Sequence, residues 1–133
     1  MLTKDIRTRF MRKVLFTVLA LNMILEGLTS VRLVSLPFQK EDFDAALHGG
    51  FVLYGYAALA AAASIVWFAK YSYAESSLAL GLGLLLTFHI CMVPACVMIS
   101  NIPGAVVHGL LFVAFAFLFF NRIKCLPLDQ ENL

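Results

Sequence analysis

The stretch VLFTVLALNMILEGLTSVRLVSL, residues 14–36, decides the fold. It is long enough to cross a bilayer, because about 20 apolar residues in a helix cover a hydrocarbon core of roughly 30 Å. Yet it carries a carboxylate, Glu26. A charge near the middle of a spanning helix costs at least about 2.5–3.5 kcal/mol on insertion scales, so Glu26 is expected to face other helices or a watery cavity rather than lipid.

Outward from this stretch, the chain repeats the pattern three times. Apolar runs at residues 45–68, 77–100 and 103–121 each have the length of a membrane span, and 62% of the sequence is hydrophobic against 14% charged. That balance excludes an ordinary soluble domain. The expected fold is all-α: an integral membrane four-helix bundle forming one domain over residues 1–133.

The charges give the orientation. Residues 1–13 hold Lys4, Arg7, Arg9, Arg12 and Lys13 against Asp5, and Arg122 and Lys124 follow the last apolar run. The loop at residues 37–44 sets Lys40 against Glu41, Asp42 and Asp44. Under the positive-inside rule both termini lie in the cytoplasm. The first helix is read as retained rather than as a secretory signal, since its apolar run is too long and contains Asn22 and Glu26. The basic residues report orientation, and no nucleic-acid partner is expected.

Local signals fix the span ends. Pro37 closes the first helix, and Asp42 or Asp44 caps the second. Ser72 followed by Glu75 has capping-box spacing before the third. Pro94 interrupts the hydrogen-bond ladder of the third helix, and Asn101-Ile102-Pro103-Gly104 forms a tight turn into the fourth. Residues 126–133 are expected to be a short polar tail. In the second span, Ala57 with Ala61 and Ala58 with Ala62 allow close helix approach, within one bundle or in a homo-oligomer.

Counting depth along each helix places Glu26, His48, His89 and His108 in the outer half of the bilayer. Asn22, Glu26 and Thr29 share a face at i, i+4 and i+7. The expected site is a ligand-binding or proton-binding pocket of Asn22, Glu26, His48, Tyr54, His89 and His108, with His89 or Tyr54 as partner to Glu26. The same residues would serve equally as polar glue between helices. Haem b held by His48 and His108 is an alternative, and a metal site of Glu26 with histidines is chemically allowed. No cofactor is predicted. Cys91, Cys96 and Cys125 show no metal-binding or redox spacing. No paired-carboxylate motif, nucleophile elbow or phosphate loop points to catalysis, although Cys96 with His108 could be written as nucleophile and base.

The basic start, the helix VLALNMILEGLTSVRL with a glycine following a polar residue, the proline-terminated outer loop and three further compact spans resemble the DoxX-like group of small bacterial membrane proteins. That resemblance implies an accessory subunit or small-ligand binder of the bacterial inner membrane, sometimes linked to quinone or thiol redox chemistry. A second resemblance rests on Glu26 alone. The small multidrug-resistance transporters also have four short helices with an essential glutamate in the first, and this implies a proton-coupled carrier. The leading expectation is a non-catalytic accessory or ligand-binding protein that meets the bilayer, a small hydrophobic ligand or a membrane partner.

Overall fold

The computed structural model describes residues 2–127, with side chains from Asp5 onward. Of the expected polar tail at residues 126–133, Leu126 is buried, and residues 128–133, like the side chain of Lys4, lie outside the described residues. Helix α1 runs Leu2–Val34, α2 Leu36–Gln39, α3 Ala45–Tyr71, α4 Glu75–Met98 and α5 Ile102–Phe120, and a 3-10 turn follows at Arg122–Cys125. There is no strand among the described residues.

Helices α1, α3, α4 and α5 are each long and apolar enough to cross a membrane. Their outward faces carry Leu28, Leu53, Leu80, Leu84, Leu110 and Phe120, all exposed. Patches of that kind are tolerated where lipid is the solvent. Four such helices suggest an integral membrane protein.

Helix α1 begins earlier than the expected span, because residues 2–13 hold no glycine or proline and are rich in helix-forming Arg and Lys. Thr8, Met11, Leu15, Leu19, Asn22, Glu26 and Ser30 are its buried residues. They recur at intervals of three or four and so mark one face. The chemistry of that face changes between Leu19 and Asn22. Pro37 lies in the first turn of α2, a position proline favours.

Capping follows the sequence at two of three places. Asp44 Oδ1 accepts from the amides of Ala46 at 2.8 Å and Leu47 at 3.3 Å, so Asp44 is the N-cap of α3. At the α4–α5 turn, Asn101 N donates to the Cys96 carbonyl at 2.8 Å and Ser100 N to that of Val97 at 2.9 Å. These two bonds, with Ser100 at φ 58, form a Schellman motif. Asn101 Oδ1 then accepts from Gly104 N at 3.1 Å and caps α5. A Cβ on Gly104 would collide with the Asn101 side chain.

The expected Ser72–Glu75 capping box does not form. The N-cap of α4 is Ala74 and makes no side-chain hydrogen bond, so Glu75 is the first helical residue instead of the third. Buried Ser72 turns back, its hydroxyl donating to the Ala69 carbonyl at 2.9 Å. Glu75 instead pairs with Arg122 at 3.2 Å.

The helices fall into two compact units, residues 1–18 with 68–133 and residues 19–67, so α1 contributes to both. In the first unit α4 packs along α5. Its core holds Leu78, Leu82 and Leu85 from α4 and Leu111, Phe115 and Leu118 from α5. Phe68 lies over Gly81, where any side chain would meet its ring. Arg12 ties the start of α1 to the end of the chain, donating to the Cys125 carbonyl at 3.0 Å. Its guanidinium lies over the rings of Tyr73 at 4.8 Å and Phe16 at 5.3 Å. In the second unit, α3 meets the end of α1 at Gly55, where a Cβ would lie 2.8 Å from Leu33 Cβ and 3.1 Å from the Val34 backbone nitrogen.

Candidate functional site

Within the second unit the buried polar residues of α1 are Asn22, Glu26 and Ser30 at i, i+4 and i+8, exposed by 0%, 2% and 1%. The sequence pattern had Thr29 in the place of Ser30. Both are within reach of an i+7 or i+8 count, and the helix buries the latter while Thr29 is half-buried. Neither Nδ2 nor Oδ1 of Asn22 has a hydrogen-bond partner among the described residues. An unpaired buried amide of this kind is uncommon in folded proteins.

His48, in the first turn of α3, is half-buried and held by its own loop. Its Nε2 lies 2.8 Å from Lys40 Nζ and its Nδ1 3.1 Å from the Asp44 carbonyl. An ammonium only donates and a carbonyl only accepts. The ring is therefore the Nδ1–H tautomer, accepting from Lys40 and donating to Asp44. Phe43 lies against it, ring centroids 5.5 Å apart. Tyr54 is half-buried on α3.

The first unit holds the other two histidines of the expected pocket, and it brings them together. His89 on α4 is fully buried and His108 on α5 nearly so, with their Nδ1 atoms 2.9 Å apart. At that distance one Nδ1 carries a proton and the other a lone pair, so in the neutral pair the two rings are opposite tautomers. Phe115 stacks on His89 at 5.3 Å with the planes 9° apart. Phe88 meets both rings edge-on, at 5.1 Å from His89 and 6.0 Å from His108. These two phenyl rings pack against the pair. The other nitrogen of His89, Nε2, has no hydrogen-bond partner among the described residues.

The His89–His108 contact was missed by depth counting but had a signal in the sequence. His89 lies ten residues before Ile99 and His108 nine after it, so a hairpin folded at that point sets them opposite one another. Ser30 likewise follows from continuing the Asn22–Glu26 spacing by one more turn.

Of the three cysteines, Cys91 is exposed, whereas Cys96 and Cys125 are buried and all three are free thiols. Burial raises the Cys125 thiol above the usual cysteine range, and the nearby charges of Arg12 and Lys124 oppose the shift without cancelling it.

No family model, curated protein or solved structure matches the chain.

Proposed function

We propose that this is a small, non-catalytic integral membrane protein that binds a small hydrophobic ligand bearing one polar group, as an accessory to membrane chemistry carried out elsewhere. The observation that carries this reading is the fully buried Asn22, with neither end of its amide engaged. An amide can donate twice and accept twice, so it suits a ligand hydroxyl, carbonyl or amide. Most of the ligand would be apolar, as the surrounding helices are. Glu26, His48 and Tyr54 belong to the same proposed polar set. The basic clusters at both chain ends support cytoplasmic termini, and the layout supports a DoxX-like protein of a bacterial inner membrane.

The test is mass spectrometry of small molecules extracted from the purified protein. A hydrophobic compound retained by wild type and lost from a folded Asn22→Leu variant supports the reading. Identical extracts from both proteins overturn it.

A second reading, a proton-coupled carrier, is favoured by the 2% exposure of Glu26 within an apolar span. In proteoliposomes a carrier loses substrate-driven proton flux on Glu26→Gln. Absence of flux in folded wild type removes this reading.

A further inference from the structure

We propose that His89 and His108 form a binding site for a late first-row transition-metal ion of the class that takes imidazole nitrogen, Zn(II) or Cu(I). Their ligating atoms lie within 4.8 Å of one another, in the closest case 2.9 Å between the two Nδ1 atoms. Two imidazoles on one tetrahedral ion, with bonds of about 2.0–2.1 Å, hold their nitrogens about 3.3 Å apart. The pair must therefore open by only a few tenths of an ångström, which a small rotation about the side-chain bonds supplies. The helices that carry the rings are joined by a capped turn and a continuous apolar core, so the donors are already positioned.

Three features separate this pair from histidines that merely fill space. Both rings are buried within helices long enough to span a membrane, where an ionisable side chain is functional by default. They point nitrogen at nitrogen, so that in the neutral pair one proton lies between two ligating atoms. Finally, His89 Nε2 is buried without a partner, although a core histidine normally engages both nitrogens. Ligation through both Nδ1 atoms balances without net proton release. The proton shared between them moves to an Nε2, leaving both rings neutral with Nε2–H and both Nδ1 lone pairs on the metal. Cu(I) held by two imidazoles alone is linear and needs a wider opening of the pair, whereas tetrahedral Zn(II) requires further ligands or water.

The experiment uses the full chain, stripped of metal in detergent. Co(II) stands in for Zn(II) and is read by its visible d–d bands. Cu(I) is titrated anaerobically against a chromophoric chelator. Binding of one ion per chain is expected, with affinity falling roughly tenfold or more in His89→Asn and in His108→Asn, while Cys91→Ser binds as wild type does. Response to Co(II) alone assigns Zn(II), and response to Cu(I) alone assigns copper. No binding of either ion, or equal binding by the His89→Asn/His108→Asn double variant, overturns the proposal. If the variants do not fold, nitrogen-15 spectra of histidine-labelled wild type decide the question. Metal-induced shifts at both Nδ1 sites support the site, and unmoved resonances overturn it. The ligand reading at Asn22 is not assumed, and each can fail alone.

Discussion

Replacing Asn22 by leucine should make this protein more stable and less functional. Asn22 is 0% exposed, with its Nδ2 and Oδ1 unpaired among the described residues. Leaving a buried polar group unpaired costs about 1–3 kcal/mol, and this side chain has two such groups. Leucine has similar bulk and nothing to pair, and it continues the apolar face of Leu15 and Leu19. Part of the cost is also present in the unfolded reference state within a membrane or micelle, where the amide is equally far from water. The net gain is therefore expected near the lower end, about 1 kcal/mol, against the usual loss of about 1 kcal/mol for a point substitution. Asn22→Ala removes the amide but leaves a cavity, so it should fall below leucine. The assay is reversible unfolding in mixed micelles with rising denaturing detergent, read by circular dichroism, with ligand retention measured on the same preparations. A loss of more than about 1 kcal/mol in a normally inserted Asn22→Leu protein would mean that the amide is engaged in the native state, and the ligand reading would lose its support.

Arg12→Met should destabilise by about 2–3 kcal/mol, because a charge-assisted bond to the Cys125 carbonyl and ring contacts with Tyr73 and Phe16 are lost together. Arg12→Lys should recover only part of this, since an ammonium cannot lie flat on a ring while reaching the carbonyl; full recovery would show that charge alone matters. Gly81→Ala should lower stability by about 1–3 kcal/mol through collision with Phe68, outweighing the gain in helix propensity of about 1 kcal/mol. Adding Phe68→Leu should restore it, and a neutral or stabilising single change would show that the ring moves freely. Cys125 should resist maleimide at neutral pH, because burial raises its thiol and leaves less thiolate than in a free cysteine. Labelling should rise only in more alkaline solution, so rapid modification at pH 7 would contradict the burial.

What the sequence made legible was whatever depends on neighbours along the chain. Span lengths, the Asp44 cap and the Asn101 turn each follow from a few consecutive residues. The Ser72–Glu75 box failed for a reason equally local but invisible in the letters. Spacing alone does not say which residue is the cap, and Ala74 takes that place while Ser72 bonds back to Ala69. Contacts far apart in sequence were hidden because a run of apolar letters does not state which face meets which helix. The Arg12 bond to Cys125 and the pairing of Glu75 with Arg122 are of this kind. Arg12 was counted as one cation of an orienting cluster, although its guanidinium is engaged within the protein.

The histidines show how such a long-range contact becomes readable once one local feature is fixed. Depth measured separately from the end of each span carries the error of each end, which is a residue or two for any helix. Measured from a shared turn, the two errors become one. Ser100 in the left-handed region and Asn101 capping α5 pin that turn, and the hairpin then carries α4 and α5 back along each other from a known point. With the fold at Ile99, His89 has to lie opposite His108, give or take a residue, and the helical period decides only whether both face inward. Leu78, Leu82, Leu85 and His89 on α4 and His108, Leu111 and Phe115 on α5 recur at the three-or-four spacing of one buried face each. Deleting Ser100 would remove the left-handed residue on which the turn is built and so shift the register of α5 against that face, separating the imidazoles while leaving every other letter in place. Retention of the His89–His108 contact in that deletion would show that core packing, rather than the turn, sets the register.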